Sequence, residues 1–146
     1  MLKKALRRTE PALESWTGNM TLPQSKRPEV LSGPTISVKT PDGEMFVTIN
    51  ELDDKPYEVF ITIGKTGKLL MAWAEMAGRL ISLALRAGIP FTSILQQISN
   101  ITTDRESRRN GAVIRSGPEG VAYAFVKYLK DKRDVVTKGL KDDVDL

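Results

Sequence analysis

Tyr57-Glu-Val-Phe-Ile-Thr-Ile-Gly64 runs into Lys65-Thr-Gly67 and then into Lys68-Leu-Leu-Met-Ala-Trp-Ala-Glu-Met-Ala-Gly-Arg-Leu-Ile-Ser-Leu-Ala-Leu-Arg-Ala87, and this junction decides the fold. In the first piece the odd positions Tyr57, Val59, Ile61 and Ile63 are apolar. Side chains alternate faces along a strand, so those four share one side. In the second piece Leu69, Trp73, Met76, Leu80, Leu83 and Ala84 recur at spacings of three and four, the period of a helix. Leu70, Ala77, Ile81 and Leu85 widen that stripe. The helix is therefore expected to be buried on more than one side, with the sheet covering one and a partner subunit or the C-terminal helix covering the other. Trp73 reads as core.

Working backward, Thr35-Ile-Ser-Val-Lys-Thr40 and Met45-Phe-Val-Thr-Ile-Asn50 read as two more strands. Pro41-Asp42-Gly43 and Asp53-Asp54-Lys55 supply the turns. Short turns between successive strands predict an antiparallel meander. Working forward, Gly88 suits a helix C-cap and Pro90 stops continuation. Residues 91–101 predict a shorter helix, 102–112 a loop and 113–114 a short extended piece. Pro118 fits the first helical position of a last helix over 118–130, with Glu119 in its first turn.

The fold class is thus α+β: a small antiparallel meander of three or four strands against a long amphipathic helix, followed by two shorter helices. A basic flexible extension over 1–28, one domain over 29–130 and a charged flexible tail over 131–146 divide the chain. The 146 residues suit a single domain. No cysteine and no histidine are present. Disulfides, thiolate-ligated metals, thiol redox steps and the usual acid–base side chain are excluded. No cofactor is expected, and Asp53 and Asp54 suit a turn better than a cation. No apolar run is long enough to span a membrane, and a cytoplasmic location is the simplest expectation.

The net charge of +4 is uneven. Residues 1–28 carry six basic against two acidic side chains, and residues 102–116 carry four arginines against two acids. Two segments suit an anion. Gly64-Lys65-Thr66-Gly67-Lys68 brackets a helix start with glycines and lysines, either as a phosphate cradle or as a plain turn and cap. Arg105, Arg108, Arg109 and Arg115 surround Ser116-Gly117 at the next helix start, either as a phosphate site or as a solvated loop. The candidate ligand residues are therefore Lys65, Lys68, Arg105, Arg108, Arg109, Arg115, Ser116 and Gly117. Phe91, Tyr123 and Tyr128 are candidates for stacking a base. No residue set reads as catalytic.

Arg27-Pro-Glu-Val-Leu-Ser-Gly-Pro-Thr35, Val47-Thr-Ile-Asn50, Lys55-Pro-Tyr-Glu-Val-Phe-Ile-Thr-Ile-Gly-Lys65 and Gly78-Arg-Leu-Ile-Ser-Leu-Ala-Leu-Arg-Ala-Gly-Ile89 together resemble the TSCPD domain, as does the helix from Ser116-Gly-Pro-Glu-Gly-Val-Ala122. That family is the C-terminal accessory domain of adenosylcobalamin-dependent ribonucleotide reductases and also occurs free-standing. Its members commonly carry cysteines at positions that here read Pro41-Asp42-Gly43-Glu44, Gly67-Lys68-Leu69-Leu70, Ile101-Thr102-Thr103 and Arg115-Ser116-Gly117-Pro118. The resemblance implies no enzyme: reduction of nucleotides needs a catalytic barrel and thiols. It implies instead a binding module for a nucleotide or other phosphorylated ligand at a basic subunit interface. A virus-encoded sponge for cyclic-nucleotide signals is one analogue. The alternatives are a regulatory subunit docking on a separately encoded reductase, or a nucleic-acid binder using the basic arm and arginine loop. The broad apolar helix predicts self-association as a dimer or higher oligomer.

Overall fold

The computed structural model describes residues 3–4, 26–64 and 67–144. Three strands form the expected meander: β1 (Thr35–Thr40), β2 (Gly43–Leu52) and β3 (Lys55–Ile63), antiparallel and in the order β1-β2-β3. Register places Ile36 and Ile61 beside Val47, Val38 and Ile63 beside Met45, and Val59 beside Ile49. All eight are buried, so one sheet face is continuously apolar. The first turn is closed by Thr40, whose hydroxyl donates to Gly43 O at 2.8 Å and accepts from Asp42 N–H at 3.2 Å. In the second turn Asp53 and Asp54 both take positive φ (52° and 59°). This is the paired left-handed geometry that a two-residue hairpin requires, and aspartate tolerates it.

Helix α1 (Lys68–Arg86) lies along β3. It docks through small residues. A Cβ on Gly78 would sit 3.0 Å from Val59 O. The Ser82 hydroxyl accepts from Val59 N–H at 2.9 Å and lies 2.7 Å from Gly78 O. The buried positions of α1 are Ala74, Gly78, Ile81 and Ser82. Trp73, expected in the core, is instead 57% exposed, and Leu69, Met76, Leu80 and Leu83 are exposed with it. The physical reason is distance. A face of small residues lets the helix backbone reach the strand, which turns the large residues outward.

Ala87 N–H and Ile89 N–H bond back to Leu83 O and Ala84 O, and Gly88 takes φ +82°, closing α1 as expected. Helix α2 (Phe91–Ile98) brings Phe91 onto Phe125, with ring centroids 4.3 Å apart. Phe91 is therefore part of the core. The segment expected as a loop holds a hairpin, β4 (Ser107–Arg109) and β5 (Ala112–Ile114). Its turn is Asn110-Gly111, both at positive φ.

Helix α3 (Gly117–Val144) is the longest helix, not one of two shorter ones, and runs well past the expected end at 130. Residues 131–144 contain no proline, and Asp134 and Lys138 sit at a supportive i,i+4 spacing. Lys132 also pairs with Glu51 of β2 at 2.7 Å, beyond the expected end. Tyr128 donates its hydroxyl to the same carboxylate at 2.5 Å and is buried. Burial raises the Tyr128 pKa, and the Glu51 charge raises it further. No helix among the described residues is long and apolar enough to cross a membrane.

The segment before β1 is also tied to the sheet. Gly33 approaches β2 so closely that a Cβ there would lie 1.8 Å from Ile49 O. Arg27, inside the segment read as an extension, donates two bonds to Glu58, at 2.8 and 2.7 Å. Asn50 donates a third at 2.9 Å. Glu58 is 3% exposed and lines a hollow with Arg86 of α1. The Arg27 hydrogen bond, supported by that of Asn50, outweighs burial and holds the Glu58 carboxyl below its ordinary 4.5.

Gly33→Ala is expected to cost at least ~3 kcal/mol, since backbone must move to admit the methyl group; urea melts measure it. Because Glu58 takes up its proton at lower pH when folded than when unfolded, its contribution is complete above about pH 5 and is lost as pH falls through its folded value. The urea midpoint is therefore expected to drop as pH falls below about 5, and Glu58→Gln to flatten that drop.

Candidate functional site

β1 is an edge strand: among the described residues nothing pairs with its outer side. Pro34 O accepts from Ile49 N–H at 2.9 Å, so the even-numbered residues of this strand turn their backbone groups toward β2. Alternation then points the N–H and C=O groups of Thr35, Ser37 and Lys39 away from the sheet. They face a groove of about 360 Å³ between β1, the β4–β5 hairpin and α3. Arg109 and Asn110 line it from the hairpin, and Tyr123, Lys127 and Asp131 from α3. A second hollow of about 380 Å³ at the β1–β2 turn shares Lys39 and Arg109 and adds Arg108 and Glu44.

Around the two hollows stand four cations (Lys39, Arg108, Arg109, Lys127) and two carboxylates (Glu44, Asp131). The surplus is positive. Among the described residues Lys39 and Lys127 form no ion pair. Glu44 accepts from Ser37 at 2.6 Å and lies 3.4 Å from Arg109. The Ser37 hydrogen bond, with Arg109 beside it, lowers the Glu44 pKa.

The residues singled out by sequence divide into different roles. Lys65 lies outside the described residues. Lys68 opens α1 and is exposed. Gly64 donates its N–H to Glu44 O at 2.8 Å, which holds the end of β3 against β2. Arg105 clamps the β1–β2 turn, through Asp42 Oδ1 at 3.0 Å and Pro41 O. Arg108 pairs with Glu106 at 2.9 Å. Arg109 alone of the four arginines reaches both hollows.

Arg115, Ser116 and Gly117 form the start of α3, and that start is closed by the chain itself. Ser116 Oγ accepts from Glu119 N–H at 3.0 Å and donates to Ile101 O. The Glu119 carboxylate accepts from Arg115 N–H and lies 3.9 Å from its guanidinium. This is a serine cap with a glutamate reaching back, a variant of the capping box. Gly117 packs toward Met45, where a Cβ would meet Cε at 3.5 Å. A carboxylate therefore already occupies the position a phosphate would take.

Lys39 and Lys127 were not among the residues singled out. One reads as an ordinary outward position on a strand and the other as an ordinary helix charge. Only the packing of α3 along β1 brings them to one groove. Asn110-Gly111 was a legible hairpin signal. No group of acidic residues able to hold a metal ion occurs among the described residues.

The sequence profile of the TSCPD domain matches residues 19–129. No curated protein matches the chain significantly, and no solved structure does.

Ser116→Ala is expected to lower stability by about 1 kcal/mol, the usual worth of a helix cap. Thermal melts with and without inorganic phosphate check both halves of the assignment: a capping role predicts the same loss in each.

Proposed function

The chain belongs to the TSCPD domain family, and from that membership we propose a non-catalytic binding module that takes a nucleotide or similar phosphorylated ligand in the groove beside β1. The observation that carries the reading is the meeting of Lys39, Arg109 and Lys127 with the half-buried Tyr123 along an unpaired strand edge. The lysines and arginine supply charge for phosphate oxygens. Tyr123 supplies an aromatic surface for a base. The outward backbone groups of Thr35, Ser37 and Lys39 supply donors and acceptors of the kind that read a base edge. The family's tie to reductase accessory domains favours recognition over chemistry. Arg108, Arg109 and Lys68 remain ligand candidates in this reading; Arg115, Ser116 and Gly117 are assigned to the helix cap.

A second reading rests on the same open edge. A segment of a separately encoded reductase, or of another protein, would add a strand to β1 by main-chain bonding, with acidic side chains meeting the cations.

Titration of the full chain with ADP and with pyrophosphate separates the two. The ligand reading expects saturable binding, weakened at least about tenfold by Lys39→Glu with Lys127→Glu, since each lost charge-assisted contact is worth roughly 1.5 kcal/mol or more. Failure of both probes to bind at millimolar concentration overturns it and leaves the strand-addition reading. A nucleic-acid role would show as steep salt dependence with oligonucleotides.

A further inference from the structure

We propose that the outward face of α1 is the docking surface for a second copy of this chain, packed antiparallel. Leu69 (70% exposed), Trp73 (57%), Met76 (45%), Leu80 (57%) and Leu83 (42%) stand on that face. Their spacing is four, three, four, three, the seam of a two-helix coiled coil. The helix has already satisfied its own domain through a different face, with Ala74, Gly78, Ile81 and Ser82 against β3 and the core. Among the described residues the outward seam therefore has no partner within one chain.

The area matches a second copy. With Ile101, 47% exposed and lining one hollow with Trp73, the seam presents roughly 600 Å² of surface, at the top of the ~300–600 Å² of the largest patch on a typical monomer and, with its polar rim, approaching the ~800 Å² per partner of a stable interface.

The pattern is also self-complementary. Two antiparallel α1 helices crossing beside Gly78 set Trp73 against the partner's Leu83 and Met76 against the partner's Leu80. Every large side chain in the central two turns then meets another. One flank carries the small Ala77 and Ala84, which permit close approach. The other carries Glu75 and Arg79, exposed and paired within one helix. Antiparallel copies bring the same flank of each helix together, with each Glu75 near the level of the partner's Arg79.

The arrangement changes where ligand sites lie. α1 flanks β3, at the opposite edge of the sheet from β1. The basic groove is then complete within one subunit and open in the dimer, rather than shared between subunits as the sequence suggested. The docking surface stands whether or not the groove binds a phosphorylated ligand.

Sedimentation equilibrium of the full chain tests this. At about 100 μM, well above the ~1 μM upper end for interfaces of this area, the expected mass is twice 16.2 kDa. Leu80→Glu, a change on an exposed position, is expected to give the single-chain mass with an unchanged circular dichroism spectrum. Because the chain has no cysteine, Met76→Cys and Leu80→Cys report the register: an equimolar mixture should form disulfide dimers faster than either variant alone. A monomer at about 100 μM, a dimer that Leu80→Glu leaves intact, or faster crosslinking of one variant by itself would each overturn the proposal.

Discussion

Everything else in this structure follows from how closely α1 sits on β3. Gly78 has no side chain, so the helix backbone comes within reach of Val59 O. Ser82 then serves the strand directly, accepting the Val59 N–H that no neighbouring strand takes. A helix that docks by its small residues must turn its large ones elsewhere, which is why Trp73, Leu80 and their neighbours face solvent. On the far side of the sheet no strand pairs with the outer edge of β1 among the described residues. The apolar seam follows from that docking, and the basic groove from the packing of α3 along β1.

The strands were readable because alternation and turn chemistry agree. Ile36, Val38, Met45, Val47, Ile49, Val59, Ile61 and Ile63 all point to the core where the period of two put their faces. The helix was readable as a helix, but its buried face was not. Periodicity marks the largest apolar residues, and contact with a flat sheet selected the smallest. The end of α3 was misread because charge resembles a tail when its tertiary partner is unseen; Glu51, some eighty residues earlier, is that partner for Lys132. Glu58 gave no signal either. In sequence it is the polar member of an alternating strand, and only Arg27 and Asn50 explain its burial.

The candidate site shows how sequence overstates arginine. Four arginines in a short stretch suggest an anion, yet each stands beside an acid of the same region: Arg105 with Asp42, Arg108 with Glu106, Arg109 with Glu44, Arg115 with Glu119. Exposed pairs of this kind contribute little stability, but they lower the local field a ligand would feel. The two lysines without such partners, Lys39 in a strand far from those arginines in sequence and Lys127 embedded in a helix, carry more of the usable charge. Local density in sequence is a weaker guide to a charged site than the absence of a compensating neighbour in space.

The two open surfaces differ in what they permit when molecules meet. A helix seam related by a two-fold axis consumes itself: once paired, it offers nothing further, and assembly stops. A bare strand edge has no such stop, because a strand added to it brings its own free edge and invites the next. Lys39, projecting beside that edge, and the β4–β5 hairpin standing over it are the kind of obstruction that keeps an exposed edge from recruiting copies of itself without end. The features that make the groove receptive thus also guard the protein against becoming a filament.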